Sequence, residues 1–114
     1  MTDASNETRA VEATARHLGG VLRAMASARK ERGLTSEEVL IFLAVGHLGL
    51  DGDGGLARVT PRTHGEIAAF LGIPRETVRR KIARLTDRGL TETTPHGVIV
   101  EDYAAWMALA KTIT

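Results

Sequence analysis

The 114 residues contain no cysteine, which removes disulfides, thiolate metal sites and a cysteine nucleophile together. Aromatic side chains are scarce, with one Trp, one Tyr and two Phe, so Leu, Val, Ile and Ala must fill any core. No run is long and apolar enough to span a bilayer, and Met1 to Glu7 lacks the apolar centre of a signal peptide. The expected location is the cytoplasm. A P-loop, a dinucleotide fingerprint and a nucleophile elbow are all missing. Ser5, Ser27 and Ser36 stand in no nucleophile setting, the histidines at 17, 47, 64 and 96 are scattered, and no carboxylates pair in an active-site pattern. Neither an enzyme nor a bound cofactor is expected.

What remains is a division of charge. Composition is ordinary for one small domain, at 43% hydrophobic and 25% charged residues, and a core this modest often gains from burying further surface in an oligomer. The formal net charge is only +1, yet residues 58–88 hold eight Lys or Arg against three acids, which is +5, and the remainder carries −4. A local patch of this kind attracts phosphate and speeds encounter, whereas a weak net charge limits indiscriminate binding.

The basic segment has its own architecture. From Thr63, Ile67, Ala68 and Leu71 recur at helical spacing, and Glu66 completes a capping-box pattern. Gly72 stops that helix and Pro74 opens the next, leaving a turn of about three residues. In the second helix Val78, Ile82 and Leu85 form one apolar stripe, while Arg75, Glu76, Arg79, Arg80, Lys81 and Arg84 occupy the rest of the surface. Arg is suited to forking onto guanine O6 and N7, and Glu to accepting from cytosine N4, so these side chains suit a major groove. The bland alternative is a solvated charged face.

The run from Gly72 through Arg80, Gly-Ile-Pro-Arg-Glu-Thr-Val-Arg-Arg, resembles the recognition-helix signature of the catabolite activator/FNR family of bacterial transcription regulators, G-x-[ST]-R-E-T-V-x-R. The likeness covers residues 36 to 101. Arg58-Val59-Thr60 resembles the family's small strand before the helix-turn-helix, and Gly89 through Val100 its wing. The resemblance implies that Arg75, Glu76 and Arg80 read bases and that Thr77 meets a phosphate. Arg79 has no counterpart of fixed role. Pro74 replaces the family's usual Ser or Thr cap, which removes one backbone anchor. The family's N-terminal sensor barrel has no room in this chain, so a cyclic nucleotide is not the expected signal.

The remaining segments are read in order. Residues 1–7 are expected to be disordered and 8–114 to form a single domain. Over residues 8–32, Val11, Ala15, Leu18, Val21, Leu22 and Met25 trace a helical stripe with a heptad spacing at 11, 18 and 25. This is the expected dimerisation helix, packing on its own domain being the alternative, and Gly19-Gly20 within it marks a kink or a close helix approach. Thr35 with Glu38 forms a second capping box. Val39, Leu40, Leu43 and His47 then build a buried face through Leu50, with His47 as a core histidine. Asp51-Gly52-Asp53-Gly54-Gly55 has the look of a calcium loop, but the fifth and twelfth ligand positions are Gly55 and Arg62, so it reads as a flexible turn, followed by a short strand over Leu56 to Thr60. Residues 90–100 read as a hairpin wing turning at Pro95-His96-Gly97, with Thr93, Thr94 and His96 near its tip. Asp102 caps a last helix over 102–112, where Tyr103, Trp106, Met107 and Ala110 share a core face and Trp106 alternatively floors a ligand pocket.

Together these readings predict a mainly α winged helix-turn-helix with added N- and C-terminal helices. The expected function is a homodimeric regulator of transcription, its helix-turn-helix at 63–88 reading an inverted repeat in double-stranded DNA. Beside the base readers, Thr63, Thr77, Arg79, Lys81 and Arg84 would hold phosphates, and RNA polymerase is a further partner. The alternatives are a winged-helix interaction module without specific DNA binding, or a ligand-responsive regulator similar to the multiple-antibiotic-resistance family.

Overall fold

The computed structural model describes residues 2–114. Five helices and one hairpin follow in the order α1 (Thr2–Arg32), α2 (Ser36–Gly49), α3 (His64–Leu71), α4 (Arg75–Asp87), β1 (Thr91–Thr94), β2 (Gly97–Val100) and α5 (Tyr103–Ile113). The fold is a mainly α winged helix-turn-helix.

Local chemistry sets these boundaries. Gly33, with φ of 66°, leaves α1, and its N–H bonds back to Arg29 O. Both capping boxes close: Thr35 and Thr63 each accept from the N–H of the glutamate three residues on, and each glutamate carboxylate accepts from the cap N–H in return. Gly72 adopts the left-handed conformation that ends α3, and Pro74 stands as the cap of α4, where its missing N–H leaves no bond unmade.

Val39, Ile41, Phe42 and Val45 of α2, Ile67 of α3, and Val78, Ile82 and Leu85 of α4 are buried together. Leu90, Val98 and Val100 bring the wing onto this core, and Ala105 and Leu109 bring α5. β1 and β2 pair antiparallel from Thr91↔Val100 to Thr94↔Gly97.

Several expectations need correction. Residues 2–7 continue α1 rather than forming an irregular tail; the Thr8 hydroxyl bonds back to Ala4 O within that turn. Met1 lies outside the described residues. The buried face of α2 is Val39, Ile41, Phe42 and Val45, whereas Leu40 is 43% exposed and His47 lies at the surface against the Phe70 ring. That helix is apolar almost all round, so periodicity alone does not say which side faces inward. In place of a strand at 56–60, residues Gly55–Arg58 form a single 3₁₀ turn, and the pairing with the wing is made later, by Arg62 to Val98. Three residues of α5 expected in its core face, Tyr103, Trp106 and Ala110, are half-buried, and Met107 is exposed; Ala105 and Leu109 are buried instead. The Trp106 ring lies directly on the Gly46 backbone and its Nε1 donates to Leu43 O, so it closes the α2–α5 contact rather than flooring a pocket.

Candidate nucleic-acid interface

The apolar stripe of α4 is fully sunk into the core, with Val78, Ile82 and Leu85 each at 1% exposure or less. That fixes which side chains the helix must present. Arg75, Glu76, Arg79, Arg80 and Arg84 are exposed, and Thr77 and Lys81 are half-buried on the flanks. At 100° per residue Arg80 and Glu76 project most directly away from the core. Among the described residues, Arg75, Arg80 and Lys81 have no ion-pair partner. The turn between α3 and α4 is stabilised by Gly72 N–H and Ile73 N–H, both donating to Ala68 O.

Four other cations of the basic segment are already engaged. Arg79 donates to both carboxylate oxygens of Glu76, one turn back. These bonds, with the Arg79 and Arg80 charges, hold the Glu76 carboxyl below its ordinary value, so it is an acceptor at neutral pH. Arg84, expected to hold a phosphate, has its Nη1 3.1 Å from the Glu38 carboxylate. Arg88 donates to Arg32 O at 2.7 Å and so caps the end of α1. Arg62 donates through Nε and Nη2 to Leu48 O and pairs with Glu66, while its backbone exchanges both hydrogen bonds with Val98. It ties the end of α2, the start of α3 and the wing together. In the sequence Arg62 and Arg88 count only as patch charges, because the Leu48 and Arg32 carbonyls that their side chains bond lie far along the chain.

The expected phosphate contacts differ in freedom. The Thr63 hydroxyl oxygen accepts from Glu66 N–H and retains its own proton to donate. On the wing, Thr93 and the His96 side chain are exposed, whereas the Thr94 hydroxyl is consumed in the turn, donating to Gly97 O and accepting from His96 N–H.

His64, at the first position of α3, completes this surface. Burial lowers its pKa from the ordinary 6.5, and the Arg75 and Arg79 charges lower it further. Between the folded value and 6.5 the unfolded chain therefore binds more protons. Stability of the free protein should be fully present above pH 6.5 and fall as pH drops through the folded value. Urea midpoints measured from pH 7.5 to 5 for wild type and His64→Gln should diverge in that window; parallel curves would exclude His64 as a source of the dependence.

A family model described as a Crp-like helix-turn-helix domain matches residues 38–109. The chain belongs to the Crp-like helix-turn-helix family. No curated protein and no solved structure matches it. The Crp-like segment begins in the first turn of α2 and runs into α5, leaving α1 outside. Crp-like domains are DNA-binding units of transcription regulators, and here the family's helix-turn-helix is α3 and α4, with the β1–β2 hairpin as its wing. No helix among the described residues is long and apolar enough to cross a membrane.

Proposed function

We propose that this chain is a sequence-specific regulator of transcription that binds an inverted-repeat operator as a homodimer, in the cytoplasm, with RNA polymerase as the machinery it acts upon. The observation that carries this reading is α4, whose fully buried apolar stripe turns Arg80 and Glu76 outward, with Arg75 exposed at its first residue and Lys81 on its flank, and with no ion-pair partner for Arg75, Arg80 or Lys81 among the described residues. Arg75 and Arg80 supply forks for guanine, Glu76 an acceptor for a cytosine amino group, and Lys81, Thr77 and Thr63 supply phosphate contacts. Arg79 joins the backbone set once Glu76 turns to a base, and Thr93 and His96 extend from the wing.

The dimer reading rests on α1, which carries two separate faces. Gly20, Ala24 and Ala28 are buried against the domain, while Val11, Leu18 and Leu22 are 68%, 53% and 59% exposed. The exposed set lies roughly 140° around the helix from the buried one. A second copy burying this stripe would gain about 1.5–3 kcal/mol for each side chain fully removed from water.

Selection from a pool of random duplexes at physiological salt tests the whole reading. Enrichment of an inverted repeat with half-sites about one helical turn, roughly 34 Å, apart is the expected result. Binding that enriches no sequence and vanishes as salt rises would reduce the basic face to an electrostatic footprint. Leu18→Glu should convert the dimer to monomer in sedimentation and weaken operator binding about a hundredfold through lost avidity. Its binding to a single half-site should be unchanged.

A further inference from the structure

Glu38 is fully buried, and capping alone does not account for its charge. One carboxylate oxygen accepts from Thr35 N–H at 2.8 Å and closes the capping box. That bond needs one carbonyl-type oxygen, which glutamine also supplies. The other oxygen, Oε2, is buried and accepts no hydrogen bond. Removing an ionised carboxylate from water is costly unless a charge answers it. The answering charge is Arg84, whose Nη1 lies 3.1 Å from Oε2 without hydrogen-bond alignment.

Arg84 lies one turn beyond Arg80 on α4, and its side chain remains 48% exposed. The apolar stripe of α4 resists translation well and rotation about the helix axis less well. A roll of about 10° moves a side-chain tip some 5–6 Å off axis by roughly 1 Å, enough to spoil a bidentate base contact. An ion pair placed to one side of the stripe opposes that roll.

We propose that Glu38 is a positioning residue for the recognition helix: its buried carboxylate holds the Arg84 guanidinium against α2, fixes the roll of α4, and keeps that cation off the DNA backbone. The inference rests on the DNA-binding reading for its functional half only. The mechanical half concerns the free protein.

Glu38→Gln keeps the cap acceptor and discards the charge, and Arg84→Met discards the half-exposed partner and leaves the Glu38 carboxylate buried without its counter-charge. Binding to the selected operator and to a random duplex is measured across a salt series for wild type, both single variants and the double variant. Both single variants should lose about tenfold in discrimination between the two duplexes, within the worth of one bidentate base contact. Arg84→Met should leave the salt slope unchanged. Glu38→Gln should steepen it by about 0.9, because the released guanidinium finds a phosphate, and the double variant should return to the wild-type slope. A slope flattened by Arg84→Met would show that Arg84 already holds phosphate, and unchanged discrimination and slope in Glu38→Gln would leave Glu38 as a cap only. Either overturns the inference. Amide exchange in the last two turns of α4, measured without DNA, should quicken in both single variants, and in the double variant no further than in Arg84→Met, which alone leaves a buried charge unpaired; additive quickening overturns the mechanical half. A wild-type protein that enriches no duplex would sink the DNA reading, and the exchange data alone would then decide the pair.

Discussion

Gly97→Ala is expected to cost about 2–5 kcal/mol of folding stability, the sum of backbone strain and overpacking. Gly97 begins β2 with φ of 141°, and a Cβ there would lie 2.6 Å from both the carbonyl carbon and oxygen of Arg62. Those atoms belong to backbone that cannot swing aside, because Arg62 exchanges both of its backbone hydrogen bonds with Val98. Relief therefore requires the wing to part from the segment before α3. Gly72→Ala is the control. Its φ of 70° carries the left-handed penalty, but nothing lies within 4 Å of the added carbon, so about 1–2 kcal/mol is expected. Urea unfolding of the two variants measures the difference, and equal losses would show that contact with Arg62 contributes nothing beyond conformation.

Arg80→Ala should weaken binding to the selected operator by about 1–3 kcal/mol and relax its sequence preference at one position. The side chain is exposed on α4, opposite the buried stripe, with no ion-pair partner among the described residues. Its removal therefore leaves no buried charge behind and should not change folding stability. Arg75→Ala should behave similarly at another position. Lys81→Ala supplies the contrast, since a phosphate contact weakens all sequences alike and flattens the salt dependence by about one unit of slope. Competition titrations against single-base variants of the operator distinguish the cases. An unchanged ranking of sites in Arg80→Ala would remove Arg80 from the base readers.

The elements that were legible in the sequence are those whose cause is local. Thr35 with Glu38 and Thr63 with Glu66 announce helix starts within four residues, Gly33 and Gly72 announce helix ends, and the Val78–Ile82–Leu85 stripe says which side of α4 is buried. The outward set of α4 follows from that stripe. Long-range chemistry was not legible. Glu38 reads correctly as a cap, but its complete burial and its pairing with Arg84 depend on how α2 and α4 meet. Arg62 and Arg88 count as charges in a composition, and their side chains become donors to backbone carbonyls only once Leu48 O and Arg32 O are brought beside them. Val59 invites a strand, yet Gly54 and Gly55, both at positive φ, turn the chain first.

α1 meets α5 without a spacer: a Cβ on Gly20 would sit 2.6 Å from Thr112 O. The joint is backbone against backbone, with no long side chain to flex. The proposed pair of chains joined through α1 would behave as a stiff caliper rather than two readers on a tether. One base pair added between half-sites rotates the second by roughly 34°, and a caliper cannot follow. In the proposed dimer, operator spacing would thus be a mechanical property of residue 20 as much as a chemical property of the recognition helix.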